Sequence, residues 1–183
     1  VRYQFDLDAI TGLLGFNDIG SINVNFNATK IDKWEYQKFA TDEVSSPLGK
    51  RNRFLGEAPP LPELKANLQL SWVNGNHSVG INAQYIDEIE YDGYNWGSSF
   101  FNQFPYFTGF DISERDTLRA STIADVTYNY RGLEVMGSDV DLTFGARNVF
   151  DRMPQRVNDF AGMESVLYSA RGRMFYGRMT MEF

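Results

Sequence analysis

Four acidic residues, Asp87, Glu88, Glu90 and Asp92, crowd one short stretch, and Tyr91, Tyr94 and Trp96 run through and beyond it. Carboxylate oxygens suit hard divalent cations, while flat aromatic rings can stack on a sugar or another planar ligand. Each group also has a plainer use. Strand alternation would send Glu88 and Glu90 to one face and Asp87 to the other, and no calcium-loop spacing occurs, so the acids read as a solvated strand end with no metal expected. Tyr and Trp also collect where an apolar surface meets water, so Tyr91, Tyr94 and Trp96 stand either as ligand contacts or as packing at a strand end.

Covalent chemistry finds little to work with. His77 is the only histidine, which removes any site built on several imidazoles, and its place beside Asn76 reads as an exposed turn. The sequence holds no G-x-S-x-G elbow, H-E-x-x-H helix, P-loop or G-x-G-x-x-G after a strand, so no nucleophile and base can be nominated. A protein that is not an enzyme and uses no cofactor is the expectation. Zero cysteines exclude disulfides, thiolate chemistry and cysteine zinc sites. The net charge of -7, with no basic stripe, argues against nucleic acid as a partner.

The elements that carry these residues follow a period of two. In Ala66 to Trp72, the residues Ala66, Leu68, Leu70 and Trp72 alternate with Asn67, Gln69 and Ser71. After Asn74, Gly75 and Asn76 the pattern resumes with Val79, Ile81, Ala83 and Tyr85, which predicts a hairpin with one apolar and one polar face. The same rule predicts seven strands, near 1–8, 20–34, 63–73, 77–91, 117–131, 138–150 and 170–183. No run approaches the roughly 18 apolar residues of a membrane helix. A spanning strand needs only about 9–11 alternating residues. Period alone leaves open whether the apolar faces meet lipid or a protein core.

Short turns at 74–76 and 132–137 alternate with long connections at 35–62, 92–116 and 151–169, with 9–19 intermediate. Sorting loop length by end is the layout of an outer-membrane barrel. Lys33 to Val44 is expected to form a short helix within its loop. On the polar side, Arg119, Asp125, Asp141, Arg147 and Arg178 project from strands, so that side borders water or a charged partner surface. Arg147 and Arg178 are placed to pair with Asp141 across the last hairpin.

The last 39 residues are the most specific: GARNVFDRMP at 145–154 and YSARGRMFYGRMTMEF at 168–183. Together they resemble the closing hairpin of TonB-dependent outer-membrane receptors. The G-x-x-N-hydrophobic-F-D-x-x-P signature falls on Gly145, Asn148, Val149, Phe150, Asp151 and Pro154, and the final strand matches with Gly172, Arg173, Phe175, Tyr176 and the terminal Phe183. Upstream, GEAPPLPELKANLQLSW resembles the Pro-containing entry to a barrel strand in the same family, and FDISERDTLRASTIADVTYNY is similar to another of its strand pairs.

The resemblance implies an all-β fold made of antiparallel transmembrane β-barrel strands, about seven C-terminal strands of a barrel of about 22. Residues 1–183 would be the C-terminal part of that barrel, with the plug domain absent. The chain starts at Val1 without a charged and apolar leader, which is expected of a mature piece or a fragment. The implied activity is uptake of a scarce nutrient, a siderophore, cobalamin or oligosaccharide, at the outer membrane of a Gram-negative bacterium. The implied partners are outer-membrane lipid, the receptor's plug, TonB through the missing N-terminal region, the barrel-assembly machinery through Phe183, and a small-molecule or glycan ligand. In that setting Tyr91, Tyr94 and Trp96 lie at the outer mouth or in an aromatic girdle. A soluble β-sandwich carbohydrate-binding module is the alternative from another class.

Overall fold

The computed structural model describes residues 2–6, 19–37, 39–44, 46–52, 60–92, 116–156 and 163–182. The protein is all-β and mostly antiparallel. Its strands are β1 (Arg2–Asp6), β2 (Ser21–Lys30), β3 (Lys50–Asn52), β4 (Leu64–Asn74), β5 (His77–Ile86), β6 (Ile89–Asp92), β7 (Asp116–Leu118), β8 (Ser121–Val135), β9 (Ser138–Arg147) and β10 (Met174–Glu182). Seven of them form one open sheet in the order β1-β2-β4-β5-β8-β9-β10, with each neighbour antiparallel. These seven are the strands that alternation predicts. The remaining three, β3, β6 and β7, form a small separate sheet.

Register aligns the apolar positions into continuous rows. One row runs Ile22, Trp72, Val79, Tyr128, Phe144, and the next runs Val24, Leu70, Ile81, Val126, Ala146, Phe175. The opposite face carries Asn25, Gln69, Asn82 and Asp125 in one row, and Ser78, Asn129, Thr143 and Arg178 in another. Its side chains bond across strands: Asn25 Nδ2 donates to Gln69 Oε1 at 3.2 Å, Asn129 Nδ2 to Ser78 Oγ at 3.2 Å, and Thr143 Oγ1 to Asn129 Oδ1 at 2.9 Å. Cross-strand pairs of this kind contribute roughly 0.2–1 kcal/mol each. They fix register more than they supply stability.

Among the described residues no second layer covers the apolar face. Phe175 is 75% exposed, Phe144 54% and Phe26 44%, and Leu68 and Met179 are exposed beside them. The buried apolar cluster lies off the sheet, where Ile89 and Leu118 of the small sheet meet Tyr168, flanked by Ile86 and Leu167. No helix among the described residues is long and apolar enough to cross a membrane, which says nothing of strands.

β2 and β10 each fall four residues short of a predicted bound, and three further strands depart from theirs for local reasons. After Ile86 the chain leaves the sheet: Asp87 N still bonds to Leu64 O in register with β4, and Asp87 Oδ1 then accepts from Glu88 N and Tyr85 Oη, which closes the strand end locally. β9 stops at Arg147, since Asn148 takes a left-handed φ of 50°. β8 runs past its predicted end through a bulge between Tyr130 and Leu133. There Gly132 adopts φ 71°, open to glycine without strain, and its N–H donates to Asp141 Oδ1 at 3.0 Å. The extra residue returns Leu133 and Val135 to the apolar face.

The predicted helix within 33–44 is not formed. A turn occupies its end instead, with Asp42 N donating to Phe39 O at 2.9 Å and Gln37 Nε2 to Asp42 O at 2.9 Å. So short a helix is marginal without a surface to pack on, and Asp42 Oδ2 bonds to Phe39 N, which closes the turn locally.

Candidate functional site

Register places the three longest connections at one end of the large sheet, and the intermediate one, between Asp6 and Ser21, at the other. Lys30 pairs with Leu64, Ile86 with Ser121 and Arg147 with Met174, so the segments between these pairs all leave from the same side. The opposite end carries the two-residue turns Gly75–Asn76 and Met136–Gly137. The long connections hold the small sheet: β6 pairs in parallel with β3 and antiparallel with β7. Gly49 N bonds to Leu61 O at 2.8 Å and Glu90 N to Gly49 O at 2.7 Å, which ties the 46–52 segment to both neighbours. Gln155, from the connection after β9, clamps β7: its Oε1 accepts from Arg119 N at 3.2 Å and its Nε2 donates to Thr117 O at 3.1 Å.

One of the three sequence-predicted ligand contacts falls on this end. Tyr91 lies in β6, opposite Arg51 and Asp116, while Tyr94 and Trp96 lie outside the described residues. The acids beside them separate: Asp87 is held by Tyr85 and Glu88, and Glu90 approaches Lys50 at 3.8 Å. Among the described residues no group of three or more His, Asp or Glu side chains is placed to hold a metal ion. Glu164 and Tyr168 are buried below, with Glu164 Oε1 accepting from Val166 N at 2.6 Å. Burial pushes the Tyr168 phenol above its ordinary value of 10.0.

The closing-hairpin residues come together as one hydrogen-bonded knot. Asn148 is 5% exposed and uses every polar group it has. Its N–H donates to Asp125 Oδ1 at 2.8 Å, its Oδ1 accepts from Arg152 N at 2.9 Å, and its Nδ2 donates to Arg152 O at 2.8 Å and Arg171 O at 3.2 Å. Asp151, also left-handed at φ 52°, accepts from Arg173 N at 2.8 Å through Oδ1. Asn and Asp tolerate this backbone region better than other side chains do. Phe150 is exposed, Pro154 is half-buried, and Gly172 packs against Asp151; Phe183 lies outside the described residues.

Gly145 serves a neighbouring strand. Tyr176 lies across it so closely that a Cβ there would overlap the ring, and the phenol reaches Thr127 Oγ1 on β8 at 2.9 Å. Arg147 sits over the same ring at 5.8 Å. The expected pairing of Arg147 and Arg178 with Asp141 is not made, because Asp141 is taken up by the Gly132 N–H at the bulge. His77, at the short-turn end, is exposed yet engaged: its Nδ1 and Tyr128 Oη are 2.7 Å apart, and its ring meets Tyr130 edge-on at 4.9 Å.

Sequence reasoning named Asn148, Asp151 and Gly145, but neither Asp125 as the partner of Asn148 nor Gln155 as the clamp on β7. Asp125 left a signal to follow, as a carboxylate in phase on the polar face of β8. No protein family, curated protein or solved structure matches this chain.

Proposed function

We propose that this chain is the C-terminal portion of the barrel of a TonB-dependent receptor in a Gram-negative outer membrane. The receptor takes up a scarce nutrient, a siderophore, cobalamin or oligosaccharide, without covalent chemistry. Ligand binds at the long-connection end and is released inward when the plug, carried by the N-terminal part of the receptor, is rearranged through TonB. The closing-hairpin signature supports the family, and the end-sorted connections support the orientation.

The observation that carries the reading is an uncharged, uncovered apolar face. From β2 to β10 the positions sharing that face carry no charge between the strand ends, as in the rows through Val24 and Phe26. Transfer of a Phe- or Leu-sized side chain out of water is favourable by about 1.5–3 kcal/mol. Scaled by their exposure, Phe26, Leu68, Phe144, Phe175 and Met179 together forfeit on the order of 5 kcal/mol if wet. That is comparable with the whole net stability of many domains. Acyl chains remove the penalty. A sandwich would remove it with a second sheet, but among the described residues the small sheet lies with the long connections and leaves this face open.

The test is membrane insertion of the full-length gene product carrying Leu68→Arg or Ile81→Arg. The lipid reading expects loss from the membrane fraction, since an arginine at the bilayer midplane of a barrel costs about 2–4 kcal/mol. A wild-type product that stays soluble after lysis sinks it.

A further inference from the structure

The Asn148 knot has a second effect, because it gathers arginines. Asn148 Nδ2 bonds to the carbonyls of both Arg152 and Arg171, and Asp151 Oδ1 bonds to Arg173 N, so one turn brings three arginine backbones together. All three side chains are exposed. The ion pairs among the described residues, Lys30–Asp32, Lys33–Glu35 and Lys50–Glu90, employ lysines, so none neutralises these arginines. Of the described carboxylates of the same connection, Asp151 lies within the patch with Oδ1 on Arg173 N, and Glu164 is fully buried with Oε1 on Val166 N, so the three guanidinium charges outnumber the one exposed carboxylate beside them.

Their position relative to the sheet is specific. Arg173 follows the parity of Phe175 on the apolar face, and its guanidinium lies over that ring at 5.5 Å. Phe150 and Met153, in the same connection, are exposed. Arg173 therefore stands on the rim of the apolar face, at one end of it, with the exposed Arg152 and Arg171 joined to it through the backbone of the same knot. The whole chain carries a net charge of -7, so the patch runs against the general field. Guanidinium forks match phosphate oxygens. A small soluble anion would gain nothing from Phe150, Met153 and Phe175, whereas an amphiphile with a phosphorylated head uses both halves of the patch.

We propose that Arg152, Arg171 and Arg173 form a collar that binds phosphorylated lipid headgroups in the leaflet at the long-connection end. The proposal rests on the reading that the apolar face meets acyl chains. The full-length gene product, extracted in detergent, is titrated with lipid A and with its dephosphorylated form, and bound lipid is counted by native mass spectrometry. Wild type is expected to prefer the phosphorylated form. The triple variant Arg152→Gln/Arg171→Gln/Arg173→Gln is expected to lose that preference by roughly fivefold per arginine.

The corresponding triple Lys variant keeps the charges and retains most of the preference, which preserves the test if the Gln variant fails to fold. Arg131→Gln, exposed at the opposite end, leaves binding unchanged. Equal binding by wild type and the Gln variant, with wild type in the membrane fraction, overturns the collar alone. Competition by inorganic phosphate as effective as lipid A overturns it in favour of a free-anion site. A wild-type product soluble without detergent overturns the collar together with the function on which it rests.

Discussion

Tyr176, Gly145 and Thr127 form the most demanding contact on the polar face, because the ring occupies the space that any larger residue at 145 would need. Gly145→Ala is expected to destabilise by about 1–3 kcal/mol through overpacking. Combining it with Tyr176→Ala should cost less than the sum of the two, since the clash disappears with the ring. Urea midpoints in detergent micelles measure both, and strict additivity would refute the contact. Tyr168 offers a pH-dependent case. Its buried phenol favours the neutral form, so the stability it contributes is present below pH 10.0 and is lost as pH rises through its raised folded value. Denaturation midpoints followed across pH 10.0 should fall more steeply in wild type than in Tyr168→Phe; parallel curves would count against it. The residue types at 145, 148 and 151 were legible in the sequence through the closing motif. Their partners were not, because Asn148 meets Asp125 and Arg171 across 23 positions each, a distance local patterning does not reach.

At the scale of elements, alternation exposed every strand of the large sheet, since a strand with one apolar and one polar face writes its period into the sequence. β3 escaped, and β6 and β7 were merged into the predicted ends of β5 and β8: each has three or four residues, too few to show a period of its own, and they are held by pairing among connections. The bulge in β8 was hidden for a different reason. One extra residue inverts parity after Tyr130, so Leu133 and Val135 read as out of phase and the segment 132–137 looked like a turn. The true turn is Met136–Gly137, with φ 54° and 83°. Two successive positive values are the pattern of a type I′ hairpin, which favours Asn or Gly at its first central position. Met136 is fully exposed and contributes no packing there. Met136→Asn is therefore expected to stabilise by about 0.5–1 kcal/mol, read as a higher thermal midpoint. A lower midpoint would show that Met136 has a contact beyond the turn.

Across the whole molecule, the division of labour follows the two faces. One is apolar and uncharged between the strand ends; the other is amide-rich over β2, β4 and β5 and charged over β8, β9 and β10, with Asp125, Asp141, Arg147 and Arg178 on the latter strands. Leu68→Arg and Ile81→Arg act at this scale, because the charge they introduce opposes the whole apolar surface rather than one contact. Strand direction carries a further consequence. The large sheet contains an odd number of strands that alternate in sense, so β1 and β10 run the same way. Joined to each other they would form a parallel seam in an otherwise antiparallel array. A ring with every seam antiparallel can be made from this sheet only by inserting an odd number of additional strands between those two rims, supplied by more polypeptide of the same kind.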